Sequence, residues 1–399
     1  MFKRYSGADY LMINAAEFYG IKGTFEERIN WCKTNLNNLE SLVPTSKKPP
    51  LFLKTVYAIR DTQAGIPIGH LVELDACSSG IQLMSVVMGC KIGAMNTGLV
   101  NPDVMPDAYT TCTEHMISEL GYSIEVKRDD AKKALMVYFY GSEAKPKEIF
   151  GEGTAEYNAF FKAAQKTAPE AYDLRSILIG AWQPFTLEHS WVMPDGFDVR
   201  IKVMQKKNVV VKVPELNSSF THIFNVNEGT EKGLSLSANA IHATDSLVVR
   251  EMNRRCNYDI DAVIKASDLL AYELAQRTPA TITQACKTRF ISLNQIDNLT
   301  KESVKQLSIV TLTRLYELTL KVLKESKPFE LVCIHDAFKC LAGNMNSVRY
   351  WYKEILAELA DSHIMQDILC QIYNNPKLTL DRASEDLGDL IRNSNYGIA

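Results

Sequence analysis

The sequence predicts a helix-rich α/β (α+β) fold. Three observations point there: long segments carry amphipathic helical spacing, two short apolar runs read as strands, and a β-branched, lysine-rich stretch reads as a hairpin. With 399 residues, two or three structural units can each bury a core. Hydrophobic residues at 46% and charged residues at 23% exclude wholesale disorder, collagen-like chains and coiled coils. No run nears the ~20 apolar residues of a bilayer span, and residues 1–10 lack a secretory signal pattern. No membrane partner is therefore expected, and the cytoplasm is the expected compartment. Nine scattered cysteines without a Cys-x-x-Cys pair suggest neither a disulfide framework nor a zinc site. A net charge of -3 gives no global attraction to nucleic acid, so local patches or a partner must supply any positive surface.

Taken in order, residues 10–42 look helical, with Ile29, Trp31, Cys32 and Leu36 after Glu26, Glu27 and Arg28, until Lys47-Lys48-Pro49-Pro50 breaks the pattern. Residues 70–74 form a short apolar run after Gly69 and fit a buried strand that delivers Asp75 at its end. A helix should follow over about 81–88. Another is expected up to Tyr140, with Asp129 or Asp130 as N-cap and Gly141 as the stop. After the turn signal Met193-Pro194-Asp195-Gly196, residues 197–203 and 208–213 form a hairpin candidate. Its cations Arg200, Lys202, Lys206, Lys207 and Lys212 are the densest basic stretch in the chain and candidate DNA contacts, with a solvated strand pair the equal alternative. Residues 260–326 are mostly helical in spacing, and 329–334 is an apolar strand ending in His335-Asp336.

Three places carry chemistry. Asp75-Ala76-Cys77-Ser78-Ser79-Gly80-Ile81-Gln82 puts a carboxylate between a strand and a small-residue turn, although an Asp there is usually a turn former. Arg128, Lys132, Met136 and Tyr140 recur every four residues, a step that drifts only about 40° around a helix, so two cations and a phenol share one face. A solvated basic face is the bland explanation of that run. His335-Asp336 gives a second strand-end carboxylate, though such dipeptides are common by chance. Together the three meet one requirement. Joining a nucleoside triphosphate to a 3′-hydroxyl takes two carboxylates from different strands to hold a pair of divalent ions, and fixed cations to meet the phosphates.

These segments resemble motifs A, B and C of the phage-type single-subunit RNA polymerases, the family of the T-seven phage enzyme and of mitochondrial RNA polymerase. Motif A of the family is Asp-Gly-Ser-Cys-Ser-Gly-Ile-Gln. Motif B spaces Arg, Lys, Met and Tyr-Gly-Ser as Arg128, Lys132, Met136 and Tyr140-Gly141-Ser142 are spaced, and motif C is His-Asp. Phe25-Glu26-Glu27-Arg28-Ile29, the stretch from Trp191 to Phe197, Asn239 with His242, and the ending Tyr396-Gly397-Ile398-Ala399 are similar too, all in family order.

The resemblance implies a right-hand polymerase palm and fingers. Residues 1–90 would be the first part of the palm with motif A. Residues 91–245 would be the fingers with motif B and the basic hairpin, and 246–399 the second part of the palm with motif C and a helical insertion over about 252–326. It implies catalysis by Asp75, Asp336, Lys132 and Tyr140, with Asp75 and Asp336 as ligands of two Mg²⁺ ions. Arg128, Gly80, His242 and His335 would bind substrate: Arg128 with Lys132 at the triphosphate, and His242 with Tyr140 at the ribose. Gly80 would leave room for the 2′-hydroxyl, and Lys3 or Arg4 would reach the triphosphate. DNA template, RNA product and ribonucleoside triphosphates follow as partners. The family's thumb, N-terminal domain and arginine-glycine palm motif have no counterpart here, as in the larger subunit of the two-subunit polymerases of N-four-type phages. A companion subunit carrying thumb and N-terminal region is therefore expected. A DNA polymerase of the related superfamily, or a non-catalytic DNA-binding subunit, are the alternatives; Ser79-Gly80-Ile81-Gln82 and His242 weigh against the first. Glu73 and Asp245 are read as structural.

Overall fold

The computed structural model describes residues 2–121, 124–203, 205–226, 228, 233–277 and 282–399. Helices make up 58% and strands 11%, an α+β arrangement in which three small antiparallel sheets sit among helices. The strands are β1 (Leu71–Asp75), β2 (Glu188–Val192), β3 (Asp198–Lys202), β4 (Gln205–Val213), β5 (Ser218–Val226), β6 (Val332–Ile334) and β7 (Ala337–Leu341). The three-stranded sheet has the order β1-β7-β6, and β2 pairs with β3 and β4 with β5.

Alternation explains the central sheet. Val72 and Leu74 of β1, with Phe338 and Cys340 of β7, are buried, while Leu71, Glu73 and Asp75 leave the opposite face. The helix Ser79–Met88 lies beyond β1 and is buried at every position, as a helix apolar all round must be. It packs against helices Pro169–Gly180, Leu234–Cys256 and Met345–Asp361. The outer edge of β1 is closed by a side chain. Asn14, on helix Gly7–Tyr19, donates from Nδ2 to Glu73 O and accepts from Glu73 N, both at 2.7 Å. One buried amide thus replaces a neighbouring strand.

Several expectations change. The helical pattern over 10–42 is three pieces, Gly7–Tyr19, Phe25–Thr34 and a 3₁₀ stretch Leu36–Thr45. Gly20, at φ 114°, ends the first by donating to Ala16 O and Glu17 O, and a Thr24–Glu27 capping box starts the second. Pro49 and Pro50 open the next helix, Pro49–Gln63, since the first turn needs no N–H from them. Asp129 and Asp130 are not caps. The helix is Arg128–Tyr138 with Lys127 at the N-cap, and both carboxylates lie in its first turn, where they complement the helix dipole. Residues 197–203 and 208–213 do not pair with each other. Met193-Pro194-Asp195-Gly196 is the turn of the β2–β3 hairpin, and β4 pairs over nine residues with β5. The apolar run 329–334 yields strand only at β6, an edge strand whose Val332 and Ile334 are exposed. The helix Leu234–Cys256 crosses the expected boundary at 245 without a break.

The β2–β3 turn is locked to that helix. Asp195 is buried and receives hydrogen bonds from Arg250 Nε at 2.5 Å, Arg250 Nη2 at 2.9 Å and Arg254 Nη1 at 2.9 Å. Burial alone would raise its carboxyl, but the two guanidinium groups hold it below the usual range.

Candidate active site

The two carboxylates meet because β1 and β7 are neighbours. Asp75, the last residue of β1, faces Ala337 of β7, and Ile334 of β6 faces the same Ala337. His335 and Asp336 are therefore the two-residue turn of the β6–β7 hairpin, with His335 in the left-handed region at φ 54°. Ala76 N donates to Asp336 O at 3.2 Å, which holds the turn against the end of β1. Asp75 opens to a solvent-filled cavity but is walled by protein. Burial first and the Asp336 charge second raise its carboxyl from 3.8 to about 6.

A cavity of about 760 Å³ stands over this pair. Asp75, Gly80, Arg128, Lys132, Tyr140, His242, His335 and Asp336 all line it. These eight residues, for which the resemblance implies catalysis or substrate binding, thus come to one space, whereas Lys3 and Arg4 do not. Tyr140 lies past the end of its helix, in a turn closed by Gly141 at φ 98° that donates to Tyr138 O at 2.9 Å. Its ring packs on His242 at 4.8 Å between centroids, and its hydroxyl is 3.4 Å from Ser79 Oγ. Burial pushes its phenol up to about 12, and burial lowers the His242 imidazole below 6.5. A Cβ at Gly80 would come within 2.8 Å of the Tyr140 ring. The space beside Gly80 is thus filled by that ring, and glycine is required there to admit it. Arg128 is engaged by Asp107, with Nε at 2.7 Å from Oδ2, whereas Lys132 has its ammonium 5.3 Å from the Tyr109 ring centre and no ion pair among the described residues.

The structure adds residues the motifs do not name. Asp245 lines the cavity, and its carboxyl is raised to about 6, by burial first and then by Asp336. Its signal in the sequence was its spacing of three from His242, which puts both on one helix face. Lys22, Arg28 and Lys47 line the cavity as well. Arg28 is buried with Nε and Nη1 unmatched by hydrogen-bond acceptors, Nη1 lying 3.3 Å from Glu17 Oε2. Lys3 and Arg4 are elsewhere. Lys3 pairs with Glu26 at 3.0 Å and Arg4 with Glu325 at 2.9 Å. The segment 396–399 braces the floor. Ile398 bridges Ala76 in antiparallel fashion, Ala399 N donates to Asp75 O at 2.9 Å, and buried Gln82 donates to Gly397 O at 2.9 Å.

The basic stretch does not form one surface. Arg200 and Lys202 lie on β3, where Arg200 pairs with Asp198 at 2.8 Å. Lys206, Lys207 and Lys212 lie on the β4–β5 ribbon, Lys207 paired with Glu228 at 2.5 Å. That ribbon also exposes Val210, Phe220 and Ile223.

Among the described residues, no three His, Cys, Asp or Glu side chains gather as a metal-binding group. Magnesium does not need such a cage, since it is commonly held by one or two carboxylates with water and phosphate oxygens. Asp75 and Asp336, like-charged and adjacent at one sheet end, suit it. No protein-family model and no curated protein matches the chain.

Proposed function

We propose that this chain is the catalytic subunit of a DNA-directed RNA polymerase, with the β1-β7-β6 sheet as its palm and the region of helix Arg128–Tyr138 as its fingers. One observation supports this reading above the rest. Residues at 75–80, 128–140, 242 and 335–336, far apart in sequence, line a single cavity in the combination nucleotidyl transfer needs. Asp75 and Asp336 would hold Mg²⁺, which supplies activation of the 3′-hydroxyl and neutralises the triphosphate. Lys132, which forms no ion pair among the described residues, meets the phosphates. Arg128 joins it by turning from Asp107 or stays as its neighbour. Tyr140 and His242, their rings packed at a tilt of 35°, form one wall against which the sugar rests, so selection between ribose and deoxyribose belongs there. The palm sheet leaves one face uncovered and the chain is weakly acidic, which supports a companion polypeptide to grip template and product.

The test is primed extension on a DNA template with ribo- or deoxyribonucleoside triphosphates, using the chain with and without its co-expressed companion. Templated ribonucleotide addition is expected. Lys132→Ala should suppress both sugars alike because the phosphates are common to them, whereas Tyr140→Phe should relax the ribose preference with modest loss of rate. Preference for deoxyribonucleotides in the wild type would favour the DNA polymerase alternative, and no incorporation of either sugar would refute the reading.

A further inference from the structure

Asp245 is a further carboxylate in the lining of the cavity, besides Asp75 and Asp336. Asp245 follows His242 by three residues on helix Leu234–Cys256, so the two side chains leave the same helix face. Asp245 is half-buried and lines the cavity together with Asp336, His335 and Tyr140. It accepts no hydrogen bond and forms no ion pair among the described residues. A partly desolvated carboxylate without donors is costly.

Position and chemistry narrow the ligand. Asp245 lines the same cavity as the packed Tyr140–His242 rings and as Asp75 and Asp336. A carboxylate repels phosphates, so the part of a nucleotide that suits it is the neutral, hydroxyl-bearing sugar. An ionised carboxylate only accepts hydrogen bonds and a sugar hydroxyl can donate one. Acidic side chains recognise the ribose 2′-hydroxyl in the same way in dinucleotide-binding folds. We infer that Asp245 accepts a hydrogen bond from the ribose 2′-hydroxyl of the incoming nucleoside triphosphate and is a specificity-determining residue of this site. The inference rests on the polymerase reading and deepens it. It also accounts for a further carboxylate in a cavity already lined by Asp75 and Asp336, because a deoxyribose leaves Asp245 unpaired and is rejected for that reason.

The experiment compares wild type, Asp245→Ala and Asp245→Asn, each with its companion chain, on one primed DNA template. The readout is kcat/KM for a ribonucleotide and its 2′-deoxy analogue, with a melting curve for each protein. Asp245→Ala should lower kcat/KM for the ribonucleotide about 10-fold, leave the deoxyribonucleotide within about twofold, and so collapse the ratio. Asp245→Asn keeps a carbonyl acceptor and should recover part of it. Equal losses with both sugars would overturn the inference and assign Asp245 to metal or phosphate chemistry or to the fold. An unchanged ratio would overturn it as well, while wild-type extension left the polymerase reading standing. A wild type that extends with neither sugar removes that reading, and this inference with it.

Discussion

Asp75 shows how a single residue can trade stability for chemistry. Its carboxyl is raised from 3.8 to about 6, so between roughly pH 4 and pH 6 folding takes up a proton. The stability tied to the neutral form is present at low pH and is lost as pH rises through about 6. At pH 7.5 the charged group is therefore destabilising, by about 1 kcal/mol after allowance for the solvent in the cavity. Asp75→Asn should raise the thermal midpoint by roughly 1–2 °C at pH 7.5 and change it little at pH 5. Thermal melts at the two values check this, and a lower midpoint for Asp75→Asn at pH 7.5 would show that the carboxylate is instead held by favourable contacts. At this scale the sequence is most legible where cavity-lining residues sit in short local patterns, as at Asp75, Tyr140 and His335-Asp336. Lys22 and Lys47 carry no such pattern. They flank helix Gly7–Tyr19 and the 3₁₀ stretch Leu36–Thr45, and reach the cavity because that helix packs against β1, which no local spacing encodes.

Elements were legible where propensity and capping agree, and misread where pairing decides. The run 70–74 was placed as a strand within one residue of β1 because its alternation and the flanking glycine are local. The hairpin was split wrongly because β3 and β4 are both rich in β-branched residues, so composition cannot say which neighbour each pairs with. The Met193-Pro194-Asp195-Gly196 turn held the answer, since a tight turn joins the strands on its two sides, here β2 and β3. The edge of β1 depends on a residue the sequence left anonymous. Asn14→Ala would strip the Glu73 peptide of both its partners, at a cost of about 2–4 kcal/mol. Chemical denaturation should register that loss, with Asn14→Asp also destabilised because one donor is gone. A change under about 0.5 kcal/mol would mean that the edge is satisfied by other means.

For the whole molecule, the account rests on distant segments converging, with the β4–β5 ribbon as an outlier. It runs nine residues per strand and exposes apolar side chains, and an isolated two-stranded ribbon is marginal in water. Replacing residues 206–225 by a short flexible linker should leave the melting temperature within about 2 °C, because the ribbon adds little to the core. It should also weaken binding to template DNA and flatten its salt dependence as Lys206, Lys207 and Lys212 are lost. Unchanged DNA affinity would place the nucleic-acid contacts elsewhere. The most direct measurement is the incorporation of a labelled ribonucleotide at a primed DNA template by the chain with its companion, for wild type, Asp75→Asn and Asp336→Asn. The account predicts Mg²⁺-dependent, template-directed addition by wild type and a loss of at least about 1,000-fold in each variant with folding intact. Near-normal incorporation by either variant would contradict it.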